Sequence, residues 1–182
     1  MNLFDVYPLW DIEPVRGLDT TLWDRNGEVY TDLYGGHAVI SVGHCHPHYV
    51  KMLSEQLSQL GFYSNAVQNS LQKDLARRLG QLCGYEDYEL FLCNSGAEAN
   101  ECAIKIARKY SFDKYGMGRS NIITLKNSFH GRTLCTLSAT GQDVFHNYFF
   151  PFVEGFVNVE ANNIPDLKKK LDSQVKVVYL MH

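Results

Sequence analysis

Basic charge is scarce in this chain of 182 residues: 17 lysines and arginines are outnumbered by 20 acidic residues, for a formal net charge of −3. Nucleic acids are held by clustered Lys and Arg, so this balance argues against such a partner. Long apolar runs are missing as well. None approaches the ~20 residues needed to span a bilayer. Met1-Asn2-Leu3-Phe4-Asp5 has neither the charged start nor the apolar stretch of a secretory signal. No membrane association and a cytoplasmic location are therefore expected. The five cysteines, Cys45, Cys83, Cys93, Cys102 and Cys135, show no C-x-x-C spacing. An odd, dispersed set of this kind points to reduced, mostly buried thiols rather than a disulfide framework. There is no low-complexity stretch, internal repeat or Pro/Gly/Ser linker to mark a domain boundary.

The apolar content that is present is ample, with 45% hydrophobic residues, 11 tyrosines and 10 phenylalanines. A domain of this size can bury roughly 70% of its unfolded surface. Thr20 to Asp24 and Glu28 to Leu33 flank the polar turn Arg25-Asn26-Gly27, a pattern that predicts a β-hairpin. Val50, Leu53, Leu57 and Leu60 form one face of a helix from Pro47 to Leu60, and Leu71, Leu75, Leu79 and Leu82 do the same from Leu71 to Cys83. Beyond these the pattern predicts a strand at 90–93, a helix at 97–110, a strand at 121–125, helices near 133–140 and at 163–172, and a strand at 175–181. Alternation of this kind indicates an α/β protein with a parallel or mixed sheet covered by helices.

Asn94-Ser95-Gly96-Ala97-Glu98-Ala99-Asn100-Glu101 places a strand end, a glycine and a helix start in succession. Ser95 reads as an N-cap and Glu98 completes a capping box. The N–H groups and dipole of the first helical turn favour a phosphate dianion, and Gly96 lets a ligand approach the backbone. Local pattern alone fits an ordinary capped helix equally well. Ser95 as a nucleophile is a poor alternative, because no G-x-S-x-G elbow surrounds it. His44, Cys45, His46 and His48 are dense enough to suggest a metal, yet their spacing around Pro47 fits none of the usual zinc patterns, so no metal site is expected.

The segment Asn94 to Glu101, followed by an alanine-rich helix, resembles the phosphate-binding turn of the class III pyridoxal-phosphate aminotransferases. That group holds acetylornithine, ornithine and 4-aminobutyrate transaminases. Further matches follow in order. Leu22-Trp23-Asp24-Arg25-Asn26-Gly27 is similar to the family's LWDxxG hairpin, Gly43-His44-Cys45-His46-Pro47 to its GHxHP turn, and Phe129-His130-Gly131-Arg132-Thr133 to its FHGRT loop. Tyr63-Ser64-Asn65 and Ala139-Thr140-Gly141 also stand where the family has similar residues. The resemblance runs from about Tyr7 to the last residue. It implies the N-terminal part of the fold-type I pyridoxal-phosphate-dependent transferase fold, a mixed, mostly parallel sheet flanked by helices, here truncated. Residues 1–45 would be an N-terminal hairpin and small-domain segment, and 46–182 an incomplete cofactor-binding large domain.

The same resemblance assigns roles to individual residues. Ser95, Gly96 and Ala97 would hold the phosphate of pyridoxal 5'-phosphate, and Phe129 would stack on its pyridine ring, although plain core packing is the other reading of Phe129. Arg132 would bind the substrate carboxylate through a bidentate guanidinium, against the alternative of a surface arginine capping the next helix. Tyr7 matches a tyrosine that reaches substrate in ornithine-type enzymes. His37 departs from the common GIAV version of its loop, on the substrate side of the pocket, and His130 is read as structural. In the family the cofactor is held as an imine by a lysine beyond the equivalent of residue 182. Lys126, at a strand end, is the one plausible lysine here, and the matched pattern does not place the imine on it. The expectation is therefore the N-terminal half of an enzyme, inactive by itself, with no catalytic residue of its own.

For the parent protein, the wording of the NSGAEANE and FHGRT segments favours an acetylornithine-type aminotransferase. Such an enzyme exchanges the δ-amino group of N-acetylornithine, or a related N-acylornithine, with 2-oxoglutarate in arginine biosynthesis. Ornithine and 4-aminobutyrate aminotransferases, or a catalytically silent truncated product, are the alternatives. The expected partners are these small molecules and, at full length, a second copy in a homodimer.

Overall fold

The computed structural model describes residues 1–171 and the backbone of Val175–Val178. It divides into two compact units, Met1–Lys73 and Asp74–His182. The segment 1–45 set apart by sequence lies wholly inside the first unit.

In the first unit β1 (Pro14–Leu18), β2 (Thr21–Asp24) and β3 (Val29–Thr31) form an antiparallel sheet in that order. The expected hairpin is β2 and β3, with Leu22 opposite Tyr30 and Trp23 opposite Val29. Its turn is fixed by Asp24, whose buried carboxylate accepts the N–H groups of Asn26 and Glu28, both at 2.9 Å. Gly27, at φ 85°, occupies a region that side chains disfavour. β1 was not legible in the sequence, because its proline and glycine disguise a strand that needs β2 to exist.

The GHCHP turn is tied to this sheet. His44 and Asp19 exchange backbone hydrogen bonds, 2.8 and 2.9 Å. The His44 Nε2 lies 2.6 Å from Asp32 Oδ2, while Asp32 Oδ1 accepts from Tyr34 N–H at 2.9 Å and Gly35 N–H at 2.8 Å. A Cβ on Gly17 would stand 2.7 Å from His44 Cβ, so the strand passes too close to the imidazole for any side chain. Asp32 thus fixes the start of α1 (Gly35–Ala38), a single distorted turn in which Gly36 and His37 adopt left-handed geometry.

The side-chain bond from His44, then the Gly35 and Tyr34 N–H groups, hold the Asp32 carboxyl below its ordinary value. A carboxylate with a depressed folded pKa stabilises the fold above its unfolded value, about 3.9, and that contribution fades as pH falls through the lower folded pKa. Asp32→Asn is accordingly expected to lower the thermal midpoint at pH 7 and to differ progressively less from the parent below pH ~4. A pH series of melting curves checks this, and a difference that persists unchanged into acid would contradict it.

α2 (Pro47–Gln59) begins with proline in its first turn, where a missing N–H costs nothing, and α3 (Ser70–Cys83) spans the division between units. Both match expectation in extent. Their leucine faces do not match in burial: neither helix has a buried residue, and Leu57 and Leu82 remain 67% and 84% exposed. Hydrophobic periodicity identifies the face that seeks cover, and among the described residues that face stays largely exposed.

The second unit contains α4 (Gly96–Tyr115), β4 (Asn121–Leu125), α5 (Leu134–Ala139), β5 (Phe156–Val159), α6 (Ile164–Lys170) and β6 (Val175–Val178). Its sheet is parallel with β4 central, in the order β5-β4-β6. Ile123 and Val159 form the core, with Leu125, Val157 and Leu167 packed against them. α4 runs past the expected Tyr110 and stops at Gly116, in a positive-φ conformation. β5 escaped the sequence reading, being four residues long. The expected strand at 90–93 is absent: these residues pair with no strand among those described, and Phe91 is 59% exposed. An apolar run becomes a strand only where a neighbour supplies the ladder. Of the expected final strand, residues 179–181 lie outside the described residues.

The cysteines correct another expectation. Cys45, Cys83 and Cys93 are exposed, and Cys102 and Cys135 are only partly covered.

Candidate functional site

The N-terminus of α4 is built by a reciprocal cap. Ser95 is extended, at φ −153° and ψ 160°, and its Oγ accepts the Glu98 N–H at 3.2 Å. Glu98 Oε2 in return accepts the Asn94 N–H at 2.8 Å and the Ser95 hydroxyl at 3.2 Å. The Asn94 amide side chain, then its backbone N–H, hold the Glu98 carboxyl below its ordinary value. The Ser95 hydroxyl hydrogen is thereby directed at Glu98, and rotation about Cβ–Oγ would turn it toward another acceptor. The N–H groups of Gly96 and Ala97 have no acceptor among the described residues. A Cβ on Gly96 would meet nothing within 4 Å, so the space above this turn is open. Open space, two unsatisfied N–H groups and a helix dipole fit a phosphate. Ser95→Ala is expected to cost about 1 kcal/mol through loss of the cap, read from urea unfolding midpoints.

The loop from Lys126 to Thr133 comes down onto the same turns of α4. Gly131, at φ 127°, is the point of closest approach: a Cβ there would lie 2.7 Å from both Ala97 Cβ and Thr136 Oγ1. Asn100, itself 2% exposed, donates its Nδ2 to the His130 carbonyl at 2.7 Å. Thr133 bonds Glu101 and caps α5 through a capping box with Thr136. The structure thus brings Phe129 and Arg132 to either side of a dipeptide docked on the helix that begins at Gly96.

Exposure alternates along the loop. Phe129 is 41% exposed and Arg132 is exposed, whereas His130 is 2% exposed. The Phe129 ring meets Phe145 edge-on at 5.8 Å between centroids. The Arg132 guanidinium carbon lies 5.7 Å from the Phe129 centroid and 6.0 Å from that of Phe145, a cation–π arrangement that orients the fork. Burial pushes the His130 imidazole below its ordinary pKa, which keeps it neutral.

Other expected residues are placed differently. Lys126 Nζ pairs with Glu160 at 3.1 Å, with both side chains about half exposed. Tyr7 and His37 belong to the first unit, where His37 bonds Tyr34 and stacks edge-on against it at 4.9 Å. Asn100, Gly131 and Gly141 were not singled out by sequence. A polar residue on the inner side of a helix was the available signal for Asn100.

The class-III aminotransferase family profile matches residues 7–179. The chain belongs to the class-III aminotransferases. These are pyridoxal-phosphate-dependent transaminases, and the chain is 44% identical over 178 residues to an acetylornithine aminotransferase of Caldanaerobacter subterraneus, covering 98% of this chain and 45% of that protein. A succinylornithine transaminase/acetylornithine aminotransferase of Pseudomonas aeruginosa is 42% identical over 92% of this chain and 41% of its own length. The chain therefore spans less than half the length of the relatives it matches. Among solved structures, the ornithine aminotransferase of Toxoplasma gondii superposes with a TM-score of 0.88 at 29% identity, over 96% of this chain and 41% of that one. The N-acetylornithine aminotransferase of Stenotrophomonas maltophilia gives 0.75 at 31% identity, over 96% and 42%. This class-III chain carries the α/β fold of pyridoxal-phosphate-dependent aminotransferases over the matched portion.

Proposed function

We propose that the whole protein containing these residues transfers the δ-amino group of N-acetylornithine, or a related N-acylornithine, to 2-oxoglutarate, in the chemistry of arginine biosynthesis. The observation that carries this reading is the docking of the Phe129–Arg132 loop onto the capped turn at Gly96, together with the similarity to acetylornithine aminotransferases over nearly the whole chain. Pyridoxal phosphate, when bound, supplies the electrophilic carbon that takes the amino group and a ring that withdraws electrons from the adjacent C–H bond.

The chain's own residues bind and orient. Gly96 and Ala97 N–H groups, with the Ser95 hydroxyl after rotation, hold phosphate oxygens. Phe129 covers one ring face, a contact worth about 1 kcal/mol beyond burial. Arg132 grips a substrate carboxylate in two parallel hydrogen bonds, which fixes the C–H bond to be broken. Neutral, buried His130 takes no part in proton transfer. Tyr7 adds a substrate contact, and His37 shapes the preference for the acyl or amino end. Residues 1–45 serve as a small-domain segment and 46–182 as part of the cofactor-binding domain of a cytoplasmic homodimer. Among the described residues no helix is long and apolar enough to cross a membrane.

The test is glutamate formation from 2-oxoglutarate by the whole protein with N-acetylornithine, N-succinylornithine, ornithine and 4-aminobutyrate as donors. The highest kcat/KM is expected for an N-acylornithine. Preference for free ornithine, which the closer superposition on the Toxoplasma enzyme favours, or for 4-aminobutyrate would replace this reading. The chain of 182 residues alone is expected to show no turnover.

A further inference from the structure

We infer that Asn100 and His130 form a latch that sets the spacing between the anion-binding turn and the Phe129/Arg132 pair, making both positioning residues for the site; this rests on the reading given under Proposed function. His130 is tied to buried neighbours on α4, at the end of α5 and two residues back in its own loop. Its N–H donates to Thr140 Oγ1 at 3.1 Å, its carbonyl accepts from Asn100 Nδ2 at 2.7 Å, and its Nε2 lies 3.0 Å from Ser128 Oγ. Asn100, Ser128, His130 and Thr140 are all 3% exposed or less.

The tautomer follows from counting hydrogens. Ser128 has a single hydroxyl hydrogen, which it donates to the Leu125 carbonyl at 2.6 Å. Toward His130 it can only accept, so Nε2 carries the proton. The Gly141 N–H, 3.3 Å from Ser128 Oγ, takes another of its lone-pair directions. The neutral His130 ring is therefore held as its Nε2–H tautomer, between the end of β4, the end of α5 and the second turn of α4.

Phe129 and Arg132 project outward from a backbone that cannot shift along α4 without breaking the Asn100 bond and leaving a buried carbonyl without its donor. The phosphate turn is capped by its own residues, Ser95 and Glu98. Asn100 should therefore govern where the ring and carboxylate contacts stand, not whether the turn binds an anion.

The experiment uses the 182-residue chain and the variants Asn100→Ala, Asn100→Asp, His130→Gln and His130→Ala. Hydrogen exchange is followed by mass spectrometry on peptides from the 126–134 loop and from β4. Affinities for inorganic phosphate and for pyridoxal phosphate are measured in parallel. Asn100→Ala and Asn100→Asp are expected to raise loop exchange at least tenfold with β4 unchanged. Pyridoxal phosphate should bind about tenfold more weakly, and inorganic phosphate within twofold of the parent. His130→Gln, which keeps a donor toward Ser128, should retain more pyridoxal phosphate affinity than His130→Ala. Unchanged loop exchange, or equal losses for both ligands, would overturn the latch. If the parent chain binds neither ligand, the exchange comparison alone decides whether the latch exists, and the cofactor assignment is tested separately on the whole protein.

Discussion

Gly141→Ala is expected to destabilise the second unit by about 3 kcal/mol or more, the upper range for forcing an extra carbon into a packed site. A Cβ at this position would stand 2.0 Å from the Leu125 carbonyl oxygen and 2.9 Å from Lys126 Cα. Backbone atoms, unlike the end of a flexible side chain, cannot swing away. The Gly141 carbonyl accepts from Asn127 N–H at 2.7 Å, and its N–H lies 3.2 Å from the Ser128 carbonyl. Relief would therefore require pulling the end of α5 off the end of β4 and breaking the bonds that shape the Phe129 loop. Urea unfolding of the variant beside Gly96→Ala makes the contrast. The latter adds its methyl to open space and should stay within about 0.5 kcal/mol of the parent, while blocking the anion site. A Gly141→Ala midpoint equal to that of the parent would refute the close approach.

Arg132→Lys is expected to lower kcat/KM of the whole protein about a hundredfold for an N-acylornithine, the scale of a misplaced reacting bond. Charge is retained in this substitution, but the planar fork is lost, and an ammonium holds a carboxylate through a point contact without fixing its plane. The stacking over Phe129 and Phe145 is lost with it. An acylated diamine without the carboxylate supplies the control, since its rate should fall less than threefold. Equal losses for the two donors would mean that Arg132 acts through the loop and not on the carboxylate.

Motifs that act through their own backbone were legible before the structure. The hairpin turn at Asp24, the cap at Ser95 and the extent of β4 follow from residues that determine their local conformation. Features that depend on a distant neighbour were not. β1 and β5 are short and acquire strand character from β2 and β4, while Leu90–Cys93 has strand-like composition and lacks a ladder. In the site, the identities of Phe129 and Arg132 came from motif wording, but Asn100, Gly131 and Gly141 matter because segments far apart in sequence touch. Leucine spacing on α2 and α3 identified a face without saying what meets it.

The strand order β5-β4-β6 also has a bearing on synthesis. β4 reaches the ribosomal exit ahead of both strands that pair with it, since β5 begins at Phe156 and β6 at Val175. Parallel partners separated by intervening chain close slowly. The nascent polypeptide thus carries Ile122 and Ile123 with both lateral edges of their strand bare until those later segments emerge, an interval in which a ribosome-associated chaperone would find them accessible.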